Sequence, residues 1–189
     1  IFWLIFATNT FSVEKDSIDY YLSKLDEQLL NKDEYEQMKR KKIQALKGKL
    51  ALVLDSETKY EVYGALFNEY QSYNYDSAFV YANRMMELAL QLDDMLKLTD
   101  ARLMAAYSCT SAGLFLEAKE LLHAIDSTSL DTAHKLGLYS SYSKLYLDMA
   151  LAIRHDPYER FYYEQSIRYS ELIIEAKGEI EPLGMLQLI

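Results

Sequence analysis

Tyr75-Asp76-Ser77-Ala78-Phe79-Val80-Tyr81-Ala82 is answered forty residues later by Phe115-Leu116-Glu117-Ala118-Lys119-Glu120-Leu121-Leu122. In both, an aromatic residue stands three places before a small Ala, and Met85 and Ile125 fall seven places after it. The residues ahead align at the same offset: Ala65 on Ala105, Leu66 on Ala106, Phe67 on Tyr107. Self-similarity at a fixed period marks a repeat array. A small Ala lets the two helices of a hairpin approach closely, and the aromatic fills the gap beside their turn. Tyr163, Ser166 and Ile173 give a fainter third copy, with Ser in place of Ala and a longer link around 150–157.

Outward from this repeat, apolar residues recur at three-and-four spacing and strict alternation is absent, so the chain is all-α. The spacing predicts helices over 57–72, 75–92, 94–112, 115–125, 131–153 and 157–176. Ahead of them, Ile18, Leu22, Leu25 and Leu29 make one stripe, and a second helix runs from Asn31 or Lys32 to Val53. Several ends have a chemical cause. Asp156-Pro157-Tyr158-Glu159 offers an N-cap acceptor, a Pro at the first helical position and a Glu to reach back. Gly113 sits where a helix must end and tolerates the left-handed conformation there. Asp126-Ser127-Thr128-Ser129 is a link rich in capping residues, and Lys177-Gly178 closes the last complete helix.

At these residues the chain resembles a tetratricopeptide-type array over about 57–176. The resemblance implies antiparallel helical hairpins stacked as a right-handed superhelix. The match departs from the pattern in places: Leu66 or Ala106 stands where a Gly is expected, the terminal Pro is absent, and forty exceeds the usual period of ~34. The run Tyr60-Glu61-Val62-Tyr63-Gly64-Ala65-Leu66-Phe67-Asn68-Glu69-Tyr70, continuing to Ala78, also resembles the exported repeat region of certain Gram-negative, membrane-spanning transcriptional regulators. So does the charged hairpin around Leu25–Leu46. That resemblance implies a periplasmic sensor domain, with the membrane helix and DNA-binding part elsewhere in the protein.

Composition narrows the function classes. Only 6 Gly and 2 Pro in 189 residues argue against a many-turned sandwich, and 1 Cys excludes a disulfide framework. A net charge of -9 disfavours direct nucleic-acid contact, which rests on clustered Lys and Arg. Ile1-Phe2-Trp3-Leu4-Ile5-Phe6-Ala7 is too short to span a bilayer. Followed by Thr10-Phe11-Ser12, it reads as the tail of a signal peptide, which implies export to a periplasm or cell envelope. The expected organisation is therefore a signal-peptide remnant at 1–12, an N-terminal hairpin at 13–55, repeats at 56–177, and the start of a further helix at 178–189.

No residue set demands a reaction, so the chain is read as a non-enzyme without cofactor or metal. His123, His134 and His155 have no second ligand at one-turn spacing. Cys109 lies in an apolar stretch where a thiol packs as a small apolar group. Gly48-Lys49-Leu50 lacks the rest of a phosphate loop. Lys39-Arg40-Lys41-Lys42 is a basic patch suited to an acidic partner or lipid headgroups. It reads more readily as a solvated helix face balanced by Asp33, Glu34 and Glu36.

The 17 tyrosines carry the functional expectation. Tyr60, Tyr63, Phe67 and Tyr70 share one face of the first repeat helix, Tyr107 takes the equivalent place in the next, and Tyr139, Tyr142 and Tyr146 continue the series. First helices of repeat arrays stack into a concave binding surface, and Tyr offers it broad apolar contact with a polar tip. The same rings could instead be packing between repeats. The partner expected for such a groove is a protein, peptide or small ligand. The first hairpin, 17–54, is expected either to cap the array or to mediate a homodimer through its Ile18/Leu22/Leu25/Leu29 stripe, with membrane contact only through segments outside this one. A surface glycan-capture protein is one alternative, although no lipid-anchoring Cys lies near Thr10–Lys15. A cytosolic scaffold is the other, if residues 1–12 are internal.

Overall fold

The computed structural model describes residues 6–153 and 155–178, with side chains from Ser17 onward except Gln28. Its elements are α1 (Phe6–Leu30), α2 (Lys32–Leu52), α3 (Ser56–Tyr70), α4 (Tyr75–Gln91), α5 (Met95–Ser111), α6 (Phe115–His123), α7 (Thr132–Ile153) and α8 (Tyr158–Lys177). No strand occurs among the described residues. The fold is an all-α helical repeat. Of the signal-peptide stretch, residues 1–5 lie outside the described residues, as does the further helix expected after Gly178.

The chain divides into two compact units between Ala45 and Leu46, inside α2 and not in the link at 53–55. In the first unit, α1 and α2 are separated by Asn31 alone, whose carbonyl accepts from the amides of Glu34 and Tyr35 at 3.1 Å. An antiparallel helix pair is joined by about two to five residues, so 13–55 forms two successive helices, not the hairpin expected there. Ile18, Leu22, Leu25 and Leu29 are accordingly each more than half exposed.

In the second unit, α3 packs on α4, α5 on α6 and α7 on α8, with α4–α5, α5–α7 and α6–α7 contacts joining the pairs. Helices α4, α5 and α6 begin at residues 75, 95 and 115. The forty-residue period is thus two twenty-residue blocks of helix plus turn. The turn chemistry repeats with it. Asn74 caps α4 by accepting from the Ser77 amide at 2.9 Å, and Asp94 caps α5 by accepting from Leu96 and Lys97. At the end of α5, Gly113 has φ 79°, and the amides of Gly113 and Leu114 return to the carbonyls of Thr110 and Cys109. This paired return is the Schellman arrangement, which needs a left-handed residue. Asp93 takes the same role after α4 with φ 53°.

The expected start of α8 is not formed as read. Pro157 occupies the cap position (φ -91°, ψ -3°), its carbonyl accepts from the Phe161 amide and α8 begins at Tyr158, so Asp156 lies one residue too early to cap. Its carboxylate faces Arg160 at 3.7 Å instead.

The core explains the sequence repeat. Ala78 and Ala118 are both fully buried, the first among Phe67, Ala82 and Ala105, the second among Ala106, Cys109, Leu122, Leu138 and Leu145. Ser166, the third copy's counterpart, is also buried, and its hydroxyl lies 3.2 Å from that of Ser143 across the α7–α8 seam. A hydroxyl in that position needs a partner once it leaves water.

Candidate functional site

Tyr60, Tyr63, Phe67 and Tyr70 lie three and four residues apart on α3, yet the neighbouring helices divide them. Tyr60 is 8% exposed, its hydroxyl donates to the Lys97 carbonyl at 2.7 Å, and burial pushes its phenol far above the usual range. Phe67 is 3% exposed in the cluster with Ala78 and Ala105. These two rings are core and offer a ligand nothing. Tyr63 and Tyr70 stay half-buried, and Tyr81 of α4 stands beside both, at 6.0 and 5.6 Å between centroids. Tyr73 adjoins Tyr70 at 5.7 Å. The Lys47 ammonium sits 5.7 Å over the Tyr70 ring, and hydrogen bonding to the Tyr70 oxygen holds its pKa above the ordinary value.

The third hairpin repeats this arrangement with more rings. Tyr139, Tyr142 and Tyr146 of α7 all approach Tyr169 of α8, at 6.3, 4.6 and 5.8 Å. Tyr162 adds a further ring 6.1 Å from Tyr146. The planes of Tyr142, Tyr146 and Tyr169 lie within 17° of one another. All five are half-buried. Burial raises the Tyr142 phenol to about 12 and moves that of Tyr169 upward too.

The two groups are related by the repeat. Tyr81 stands three residues after Ala78, and Tyr169 three after Ser166. Each meets two first-helix tyrosines seven residues apart, Tyr63 and Tyr70 in one case, Tyr139 and Tyr146 in the other. In the middle hairpin the corresponding position is Leu121. The second-helix rings Tyr81, Tyr162 and Tyr169 are absent from the sequence-derived site. Their spacing from the small residue is the signal that finds two of them.

Tyr107 belongs to neither group. It is 37% exposed on α5, with the Lys144 ammonium 5.6 Å over its ring and that ammonium paired to Asp148 at 2.6 Å. The Lys39–Lys42 run lies on α2, where Arg40 pairs with Glu36 at 3.0 Å and Lys32 approaches the same carboxylate at 3.7 Å. His134 lies between Asp131 at 2.8 Å and Asp100 at 3.4 Å. No group of three metal-binding side chains is found among the described residues. Burial drives the Cys109 thiol up to about 11, which keeps it protonated at neutral pH. No described helix is long and apolar enough to cross a membrane.

Half-buried, near-parallel phenols offer flat apolar surface edged by hydroxyls, which suits contact and hydrogen bonding. Helical hairpins built in this way are of the tetratricopeptide type. The chain belongs to the SusR N-terminal TPR domain family, whose model matches residues 29–179. No curated protein matches the chain, and no solved structure does.

Proposed function

We propose that this domain is the exported sensor part of a membrane-spanning transcriptional regulator, binding its ligand without catalysing a reaction. The observation that carries the reading is the recurrence of half-buried tyrosine clusters at matching places in the first and third hairpins. Membership of the SusR N-terminal TPR domain family supports a binding role. Within this groove Tyr63, Tyr70, Tyr139, Tyr142 and Tyr146 are the candidates, joined by Tyr81, Tyr162 and Tyr169. The ligand best suited to them has a flat apolar face and hydrogen-bonding edges, as a peptide aromatic or a sugar ring has. Export to the cell envelope belongs to the same proposal.

Thermal-shift titration of the 189-residue chain with peptides, neutral oligosaccharides and small anions tests it. Binding only to the folded state raises the melting temperature by mass action. A shift from one class, lost in Tyr146→Ala and kept in the exposed control Leu116→Ser, supports the reading. The absence of a shift with every class counts against it.

A further inference from the structure

The structure leaves one set of large apolar side chains uncovered in a pattern that specifies a partner. Ile18, Leu22, Leu25 and Leu29 are spaced four, three and four along α1, the alternation of a coiled-coil seam. All are more than half exposed, and on α2 Tyr35 and Met38 are too. Charge separates the two helices. Within 17–30, three acids (Asp19, Asp26, Glu27) stand against one base (Lys24), a net of -2. Within 32–45, five bases (Lys32, Lys39, Arg40, Lys41, Lys42) stand against three acids (Asp33, Glu34, Glu36), a net of +2. The two would complement each other as a hairpin, but the one-residue link at Asn31 prevents α1 from folding back on its own α2.

A second copy removes that obstruction. We infer that two chains pair antiparallel about a two-fold axis near Asn31, α1 of each lying on α2 of the other. A short link that forbids closure within one chain favours exchange between two. Like helices pair less well. In α1 the positions flanking the seam carry Asp19 and Asp26, which would face acids or uncharged residues on a second α1. In the antiparallel arrangement Leu25 comes opposite Met38 of the second copy. The assembly is independent of the tyrosine clusters, so ligand binding and pairing can fail separately.

Light scattering of the 189-residue chain across concentration is the test. The expected result is a doubling of the 22.0 kDa mass, with dissociation strengthened on the order of 10-fold or more between 0.1 and 1 M NaCl, because the paired charges are screened. Leu22→Glu and Leu25→Glu should leave a folded monomer, since neither side chain supports the fold. A chain carrying both Leu25→Cys and Met38→Cys should form an intermolecular disulfide that neither single variant forms. A monomer at all concentrations, a dimer indifferent to both Glu variants, or efficient cross-linking by Leu25→Cys alone would overturn the inference.

Discussion

The rings of Tyr142 and Tyr169 lie 4.6 Å apart with planes inclined by 14°, tying α7 to α8 through a stacked pair that burial keeps un-ionised. Its phenols tie the hairpin to pH. Tyr142 is raised from 10 to about 12 on folding. Stability from a raised group is complete below the unfolded value and is lost as pH climbs through the folded one. That change would correspond to roughly 2.7 kcal/mol, but the ring is only half-buried, and screening reduces this to about 1 kcal/mol. Urea unfolding midpoints should therefore fall between pH 10 and 12, and fall less in Tyr142→Phe.

Ala78 and Ala118 are fully buried between paired helices. Ala78→Leu or Ala118→Leu should each cost about 1–3 kcal/mol or more through overpacking. Leu116→Ser, at a position 67% exposed, should stay within about 0.5 kcal/mol. Thermal unfolding of the three variants checks the contrast.

Asp93 and Gly113 hold the same left-handed place in successive turns, with φ 53° and 79°. Asp93→Gly should stabilise the fold by roughly 0.5–1 kcal/mol, and Gly113→Ala should destabilise it by about 1 kcal/mol. Opposite displacements of the urea midpoint are the expected readout.

The Ser108 hydroxyl is buried without a hydrogen-bond partner among the described residues. An orphaned hydroxyl costs about 1–3 kcal/mol, and Ser108→Ala removes it without leaving a large void. The variant should melt at or above the parent temperature in calorimetry.

Much of this architecture is legible in the residues. Gly113 marks the end of α5 because a left-handed turn is local chemistry, readable without knowing what packs outside. The repeated Ala marks the close approach for the same reason. The fate of Tyr60 and Phe67 against Tyr63 and Tyr70 is not local. All four share one broad face of α3, and only the placement of α4 and α5 decides which edge is covered. The second-helix tyrosines lie outside a groove built from first helices alone. Asp156-Pro157 misleads because Pro157 itself takes the cap position and α8 begins one residue later, at Tyr158, beyond the reach of the Asp156 carboxylate.

The equal spacing of helix starts at 75, 95 and 115 bears on how such a chain changes length over evolution. Asn74 and Leu114 stand at the same point of the same turn. A gene segment encoding 75–114 can therefore be duplicated or excised with like ends rejoined, keeping the frame of every buried Ala. The longer connection between His123 and Thr132 ends that interchangeability. Insertion there would shift α7 against its neighbours, so the array's growth point lies ahead of its final hairpin.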